Sequence, residues 1–335
     1  FKIKKMKPKL SDIAKKAKLS VATVSRILRK KNLKNKPNEI KVLKIAREIG
    51  YPYIQLHKDQ NKKKKIALIL KMEKGEFYPS LFNGIHNASL ATDLQLSLIS
   101  VKKNKKNYIS EIIDIINEFY ASIIFLPFLT QNDYSYIQKR TIGKKLISLA
   151  PIPDPVVQTI SFDSYRGGYL MAKYFFDSGF NEVGLITGPS KILEANYRKN
   201  GFLDYTNSNH SINLKWIYSG DYSAKSGHEA FQNYLINCKK NIAVFSCNDS
   251  MAFGFIKEAI EHGISIPKDL KIAGYDNLPT CKEIIPSLSS INTDYNLLGK
   301  LVIKSIISSD PHETDQIGYF NLLPVELKKR NSTAV

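Results

Sequence analysis

The residues of this sequence best suited to chemistry stand at the ends of apolar runs. Asn248 and Asp249 follow NIAVFSC and open a helical pattern, SMAFGFIKEAI; Asp276 ends LKIAGYD; Arg198 lies in NYRKNGF. A guanidinium fork with two side-chain acceptors is the equipment that a hydroxyl-rich ligand requires. Each residue also has a plainer reading. Asp249 caps the helix that it opens, Asp276 does the same at its own strand end, and Arg198 by itself is a surface arginine.

Catalysis finds no seat. There is no GxxxxGK[ST], HExxH or GxSxG, and Gly167-Gly168 falls inside a helical pattern rather than a phosphate loop. The six histidines are scattered, none at metal-ligand spacing from another histidine, a cysteine or a carboxylate. Cys238, Cys247 and Cys281 are odd in number, lack CxxC spacing, and read as small buried hydrophobes in a reducing cytoplasm. The expectation is a protein that is not an enzyme and takes no metal or cofactor.

Charge points instead to a polyanion. Residues 1–65 hold 22 lysines and arginines against four acidic residues, a net of +18 out of +20 for the 335-residue chain. A basic excess confined to one segment is the footprint of phosphate binding. Within it, residues 10–28 (LSDIAKKAKLSVATVSRIL) place Ile13, Ala14 and Ala17, then Val21, Val24 and Leu28, at helical spacing, with Lys18-Leu19-Ser20 interrupting. Ser20 stands where it can cap the second helix. Two short helices on a tight turn are either an ordinary helical hairpin or a helix-turn-helix that enters the DNA major groove. The charge favours the second. Residues 29–36 read as a loop. A third helix follows, capped by Asn35 or Asn38 with Pro37 in its first turn, with Ile40, Leu43, Ala46 and Ile49 on one face and its end at Gly50 before Tyr51-Pro52.

DIAKKAKLSVATVSRIL, continued by PNEIKVLKIAREIGY, resembles the DNA-binding head of the LacI/GalR family of bacterial transcription regulators, and the likeness runs through most of the chain. MKPKLSDIA resembles a family start, so residues 1–5 are expected to be an upstream extension. The resemblance implies that Val21 and Ala22 face bases, where apolar side chains meet thymine methyls. Ser20, Thr23 and Ser25 would hold phosphates, and Arg26 a guanine edge or a phosphate. Lys18 replaces a turn glycine, at a cost of about 1 kcal/mol if the turn needs a left-handed residue. In the family the stretch after the head is a hinge helix that wedges a leucine into the minor groove. Leu56 is the leucine available here, while the lysines of YIQLHKDQNKKKK equally suit a solvated linker lying along phosphates.

From Ile66 on, apolar runs at 66–72, 95–101, 122–128, 144–150, 182–187, 214–219, 241–247 and 270–275 alternate with helical patterns at 80–92, 108–119, 165–178, 224–236, 250–262 and 295–308. Eight strands alternating with helices predict two doubly wound α/β lobes with parallel sheets. The resemblance implies a core like a periplasmic sugar-binding protein, crossed between lobes near Phe162, Asn292 and Leu323. The expected domains are a helix-turn-helix head at 1–56, a basic linker at 57–65 and a two-lobed domain at 66–335. Residues 66–162 and 293–322 make one lobe; residues 163–291 and 324–330 make the other. A ligand would sit in the cleft, at the carboxyl ends of strands.

RxxGF, a strand followed by ND, and GYD are family signatures of the effector cleft, which implies that Arg198, Asn248 and Asp276 bind the effector. The resemblance further puts Tyr222 on a sugar face, Phe162 and Tyr295 in the apolar walls, and Pro79 and Phe82 on the N-terminal side. GDYSAKSG, GYDNLPTCKEIIPSLSSINTDYNLLG and LLPVELKKRNSTA come nearest to the lactose-responsive branch. Phe125 and Ala150 stand where that branch has polar groups, and Thr293 replaces a glutamine. A saccharide is expected, with these departures telling against lactose itself. There is no run of 18 apolar residues and no apolar segment behind the basic N-terminus, so no membrane span or secretory signal is expected. The absence of a C-terminal heptad helix favours a homodimer. The resulting expectation is a cytoplasmic, dimeric repressor of a carbohydrate operon, bound to a pseudo-palindromic operator in double-stranded DNA and released by a small saccharide. The alternative is a solute-binding protein of a sugar uptake system, which gains nothing from a +18 head.

Overall fold

The computed structural model describes residues 8–29, 36–49, 51, 63–102, 107–238, 241–308 and 318–334. The chain forms two compact units, residues 1–63 and 64–335. Leu56 and Gly50 lie outside the described residues.

The first unit is built on α1 (Leu10–Ala17), α2 (Val21–Arg29) and α3 (Pro37–Glu48). Its core joins Ile13, Ala14 and Ala17 of α1, Val24, Ile27 and Leu28 of α2, and Val42, Ile45 and Ala46 of α3. The α3 face differs from the expected one. Ile40 is half exposed while Val42 and Ile45 turn inward, with Leu43 and Ile49 at the rim. The α3 cap also differs. Pro37 is the first helical residue and Asn38 lies inside the helix, so Lys36 holds the cap position, its N–H donating to Glu39 at 3.3 Å. Between α1 and α2 the chain turns through Lys18 in the left-handed region, φ 56°, with Leu19 N–H donating to the Ala14 carbonyl at 3.1 Å. Glycine relieves the strain of such a position. Lys18→Gly is expected to stabilise the head by about 0.5–1 kcal/mol, read as slower amide hydrogen exchange at Ile13 and Ala17; unchanged exchange would contradict it.

The second unit carries two six-stranded sheets. The first is formed by β1 (Lys64–Leu70), β2 (Leu94–Ser100), β3 (Ala121–Phe125), β4 (Lys145–Ser148), β5 (Gln158–Phe162) and β11 (Phe320–Leu323), in the order β11-β5-β4-β3-β1-β2 and parallel throughout. Its helices are α4 (Phe77–Ser89), α5 (Tyr108–Glu118), α6 (Gln131–Arg140) and α11 (Tyr295–Ser308). Along β1, Ile66, Leu68 and Leu70 enter one core with α4 and α11, while Ala67 and Ile69 enter another with α5 and α6. Burial on both faces is why β1 is a continuous apolar run rather than an alternating one. β1 opens at Lys64, so the last two residues of the expected linker belong to a strand.

The second sheet is formed by β6 (Glu182–Thr187), β7 (Asn213–Ser219), β8 (Ala243–Ser246), β9 (Lys271–Asp276), β10 (Ser289–Asn292) and β12 (Glu326–Lys328), in the order β12-β10-β9-β8-β6-β7. It is covered by α7 (Ser164–Asp177), α8 (Leu193–Ser208), α9 (Ala224–Asn237) and α10 (Asp249–Glu261) around one large core. The chain passes between the two sheets after Phe162, after Asn292 and after Leu323.

The strand count of eight is corrected to twelve among the described residues: β5, β10, β11 and β12 were not anticipated, nor were α6 and α8. The sheets are also not wholly parallel, since β12 runs antiparallel to β10. The reason is geometric. Both β10 and β11 run toward the junction between lobes, and only Pro324 and Val325 separate β11 from β12. β12 therefore enters the second sheet from the end where β10 leaves it. No helix among the described residues is long and apolar enough to cross a membrane.

Candidate DNA-binding face and effector cleft

In the head, Ser20 caps α2, its Oγ accepting from Thr23 N–H at 3.1 Å and lying 2.8 Å from Thr23 Oγ1. With Val24, Ile27 and Leu28 buried, α2 turns its other face outward: Val21, Ala22 and Arg26 are exposed, and Thr23 and Ser25 are partly so. Val21 is 49% exposed, an apolar residue at the open start of a helix flanked by lysines. Such a face leaves side chains free to meet base edges.

In the larger unit, the carboxyl ends of both sheets bring Arg198, Asn248, Asp276, Tyr222, Phe162 and Tyr295 together. Arg198, on α8, donates from Nη1 to the Cys247 carbonyl at 2.6 Å, places Nη2 3.2 Å from Asp276 Oδ1, and lays its guanidinium 3.7 Å above the Tyr275 ring. Asn248 is committed inward. Its Oδ1 accepts from Met251 N–H, capping α10, and its Nδ2 donates to the Tyr222 carbonyl at 2.9 Å. Asn248, rather than Asp249, is therefore the cap. Asp249 is fully buried and accepts from Leu278 N–H, Ser290 Oγ and Cys281 Sγ, tying the loop after β9 to β10. Tyr222 fits because position 188 is glycine, where a Cβ would lie 2.4 Å from the Tyr222 ring. Tyr295 meets Phe162 edge-to-face at 5.8 Å and Phe77 at 6.0 Å. Thr293 Oγ1 donates to the Asp276 carbonyl at 3.0 Å.

Backbone strain gathers at the same place. Of the four non-glycine residues with positive φ among the described residues, Tyr222 (73°) and Asp276 (107°) belong to the cluster and Asn277 (53°) adjoins it. Strained residues persist where surrounding contacts over-determine them, commonly at ligand sites.

Burial dominates the electrostatics. It lifts Asp276 to about 6 in spite of the neighbouring Arg198, and lifts Glu194 to about 7 with its own backbone N–H and Arg198 only partly opposing it. Asp249 is likewise raised to about 7 by burial and by Asp276. Burial works against the charge of Arg198 too, yet Asp276 keeps the guanidinium protonated.

Pro79 is exposed, and Phe82 stacks on His86 at 5.5 Å while packing on the same core as Phe162 and Tyr295. Phe77 instead packs against the cores of both lobes, beside Glu76, which accepts from Thr280 N–H (3.1 Å) and Oγ1 (2.7 Å) across the junction. Sequence reasoning also missed Tyr275 and Glu194. Tyr275 precedes Asp276 inside GYD, and Glu194 sits one helical turn before Arg198, which is the signal that could have found it.

Comparison with known families decides the class. Residues 9–52 match the family described as bacterial regulatory proteins, lacI family, and residues 172–333 match the periplasmic binding protein-like domain. The chain carries a lacI-family helix-turn-helix domain together with a periplasmic-binding-like domain. Among its relatives, the HTH-type transcriptional repressor PurR of Histophilus somni (strain 129Pt) is 26% identical over 296 residues, 87% of this chain and 88% of that protein. A lac repressor dimer bound to operator and the anti-inducer ONPF shares the fold, with a TM-score of 0.77 at 22% identity over 98% of this chain and 100% of that one. So does the regulator CelR in complex with cellobiose, with a TM-score of 0.70 at 18% identity over 97% and 100%. As a LacI-family DNA-binding transcriptional regulator, this chain pairs a helix-turn-helix head with two parallel-sheet α/β lobes.

Proposed function

We propose that this regulator is a cytoplasmic, dimeric repressor whose operator affinity is set by a small saccharide held between its lobes. One observation carries the effector reading. Among the described residues, both carboxylate oxygens of Glu194, the Nε of Arg198 and the hydroxyl of Tyr222 are buried together without a side-chain hydrogen-bond partner, beside the Arg198–Asp276 ion pair and the hydroxyls of Tyr275 and Tyr295. Buried polar groups are ordinarily paired, so a knot of unpaired ones at the carboxyl ends of strands marks where a polar ligand goes. The set mixes acceptors (carboxylate oxygens) with donors (Arg198 Nε) and phenols that do either. Sugar hydroxyls, which both donate and accept, match that mixture, and the rings of Tyr222, Phe162 and Tyr295 match the apolar faces of a sugar. CelR, which shares the fold, holds a disaccharide.

A dimer would present two heads to half-sites of a pseudo-palindromic operator. Ligand binding that favours one arrangement of the lobes then shifts the population competent to hold DNA. The solute-binding alternative leaves the exposed face of α2 and the lysines of residues 1–65 without a task. The test is a thermal-shift screen of mono- and disaccharides on the full chain, since a ligand of the folded state raises Tm by mass action. Purine bases belong in the same screen, being planar ligands that stack on the same rings. Stabilisation by a saccharide is expected. Stabilisation by a base alone would overturn the saccharide, and absence of a protected palindrome in footprints of the chain's own upstream DNA would overturn the operator reading.

A further inference from the structure

Glu194 is the second residue of α8 and is 8% exposed, yet among the described residues no side chain donates to either of its carboxylate oxygens, and its own backbone N–H gives the carboxylate only partial support. The guanidinium of Arg198, the cation whose charge acts on Glu194, is spent elsewhere. Arg198 gives Nη1 to the Cys247 carbonyl, turns Nη2 to Asp276 and stacks on Tyr275. Asp249 is satisfied by its three donors. Three buried carboxylates thus share one guanidinium, and Glu194 is the one left over.

Its place is between the lobes. The charge of Glu194 acts on Tyr222 within its own lobe and on Tyr134 of the other, whose hydroxyl is already engaged 2.9 Å from Ser148 Oγ. Among the described residues no side-chain donor from either lobe completes the site. A buried carboxylate without partners is strongly unfavourable unless it takes up a proton or meets a cation, and burial has already lifted this one to about 7.

Resting on the saccharide reading, we propose that Glu194 selects an effector bearing a protonated amine, an amino sugar rather than its neutral parent. An ammonium group brings three donors and a positive charge, so it satisfies both orphan oxygens and balances the excess of buried carboxylates. A hydroxyl brings one donor and no charge. Charge-assisted hydrogen bonds are about twice as strong as neutral ones, and a water-poor cleft widens the difference.

The test uses the full chain at about pH 7, with glucosamine against glucose and galactosamine against galactose, in thermal unfolding and calorimetric titration. At least one amino sugar is expected to bind about tenfold or more tightly than its neutral parent. In E194Q that preference should vanish, chiefly through weaker binding of the amino sugar. E194S, a smaller side chain, should lose it in the same way, which guards against a folding defect peculiar to one variant. Equal binding of each pair by the wild type, a preference that survives in both variants, or no binding by either amino sugar would overturn the proposal. If neutral sugars alone bind, the saccharide reading stands and the role of Glu194 falls. If hypoxanthine alone binds, both fall.

Discussion

Arg198→Ala is expected to leave operator binding insensitive to effector and to destabilise the 64–335 unit by about 3 kcal/mol or more, the range for breaking a buried ion pair. Two consequences meet in one residue. The side chain ties α8 to the end of β8 through the Cys247 carbonyl and to the end of β9 through Asp276. It also offers the cleft its guanidinium Nε, which has no partner of its own. Removing it leaves Asp276 buried without its counter-charge. Because burial already holds Asp276 at about 6, the variant relieves part of the cost by protonating that carboxyl, which places the loss at the lower end of the range. Backbone packing contributes less. α7 and α8 approach so closely that a Cβ at Gly168 would lie 1.9 Å from the Arg198 carbonyl, and those contacts survive the substitution. The head has its own core and is untouched. Urea unfolding gives the stability loss, and fluorescence-anisotropy titration of operator DNA with and without effector gives the response. A variant that responds like the wild type would refute the site assignment and leave the DNA-binding assignment standing.

The second large effect is on DNA affinity. The net +18 of residues 1–65 predicts many phosphate contacts, and six to ten of them would cost about 10³–10⁵ in affinity between 50 and 200 mM salt. Arg26→Ala should weaken the operator by about 1–3 kcal/mol and relax preference at one base-pair position. If Arg26 holds a phosphate, the same variant weakens all sequences alike and lowers the salt slope by about one unit. The exposed Val21 supplies a contrast. Val21→Ala removes methyl contacts without charge, so it should change sequence preference and leave the slope intact. Anisotropy titrations over a salt series separate these cases, and a slope near zero would contradict a phosphate-binding head.

How much of this was legible before the structure depends on what each segment buries. The helix-turn-helix was legible because α1 and α2 bury small and aliphatic residues at clean helical spacing. β1 and β6 were legible because strands buried on both faces are continuous apolar runs. α8 was not. Its buried face is Glu194, Ala195, Arg198, Gly201, Phe202, Tyr205 and Thr206, helical in spacing but filled with charge, glycine and hydroxyls, because part of it faces the cleft. The residues that give α8 its function are those that hide it from a hydrophobic pattern. β5 (QTISF) and β10 (SSIN) are short and rich in serine, threonine and asparagine, so neither stood out. Arg198, Asn248 and Asp276 were reachable through family signatures. Their division of labour was not, since only the coordinates show Asn248 spent on Tyr222 and Met251. Glu194 belongs to no family signature; its place one helical turn before Arg198 marks it as a neighbour of the site, while its lack of a side-chain partner shows only in the structure.

The central claim is that one ligand, held between the lobes, and one DNA site, held by the head, are coupled. Linkage makes that coupling reciprocal, so the most direct measurement determines two affinities on the same wild-type protein. One is the operator Kd with and without saturating effector; the other is the effector Kd with and without saturating operator. For a repressor released by its effector, both should rise by the same factor, about 5- to 150-fold for a coupling of 1–3 kcal/mol. An effector that binds and raises Tm while leaving the operator Kd unchanged would contradict the account.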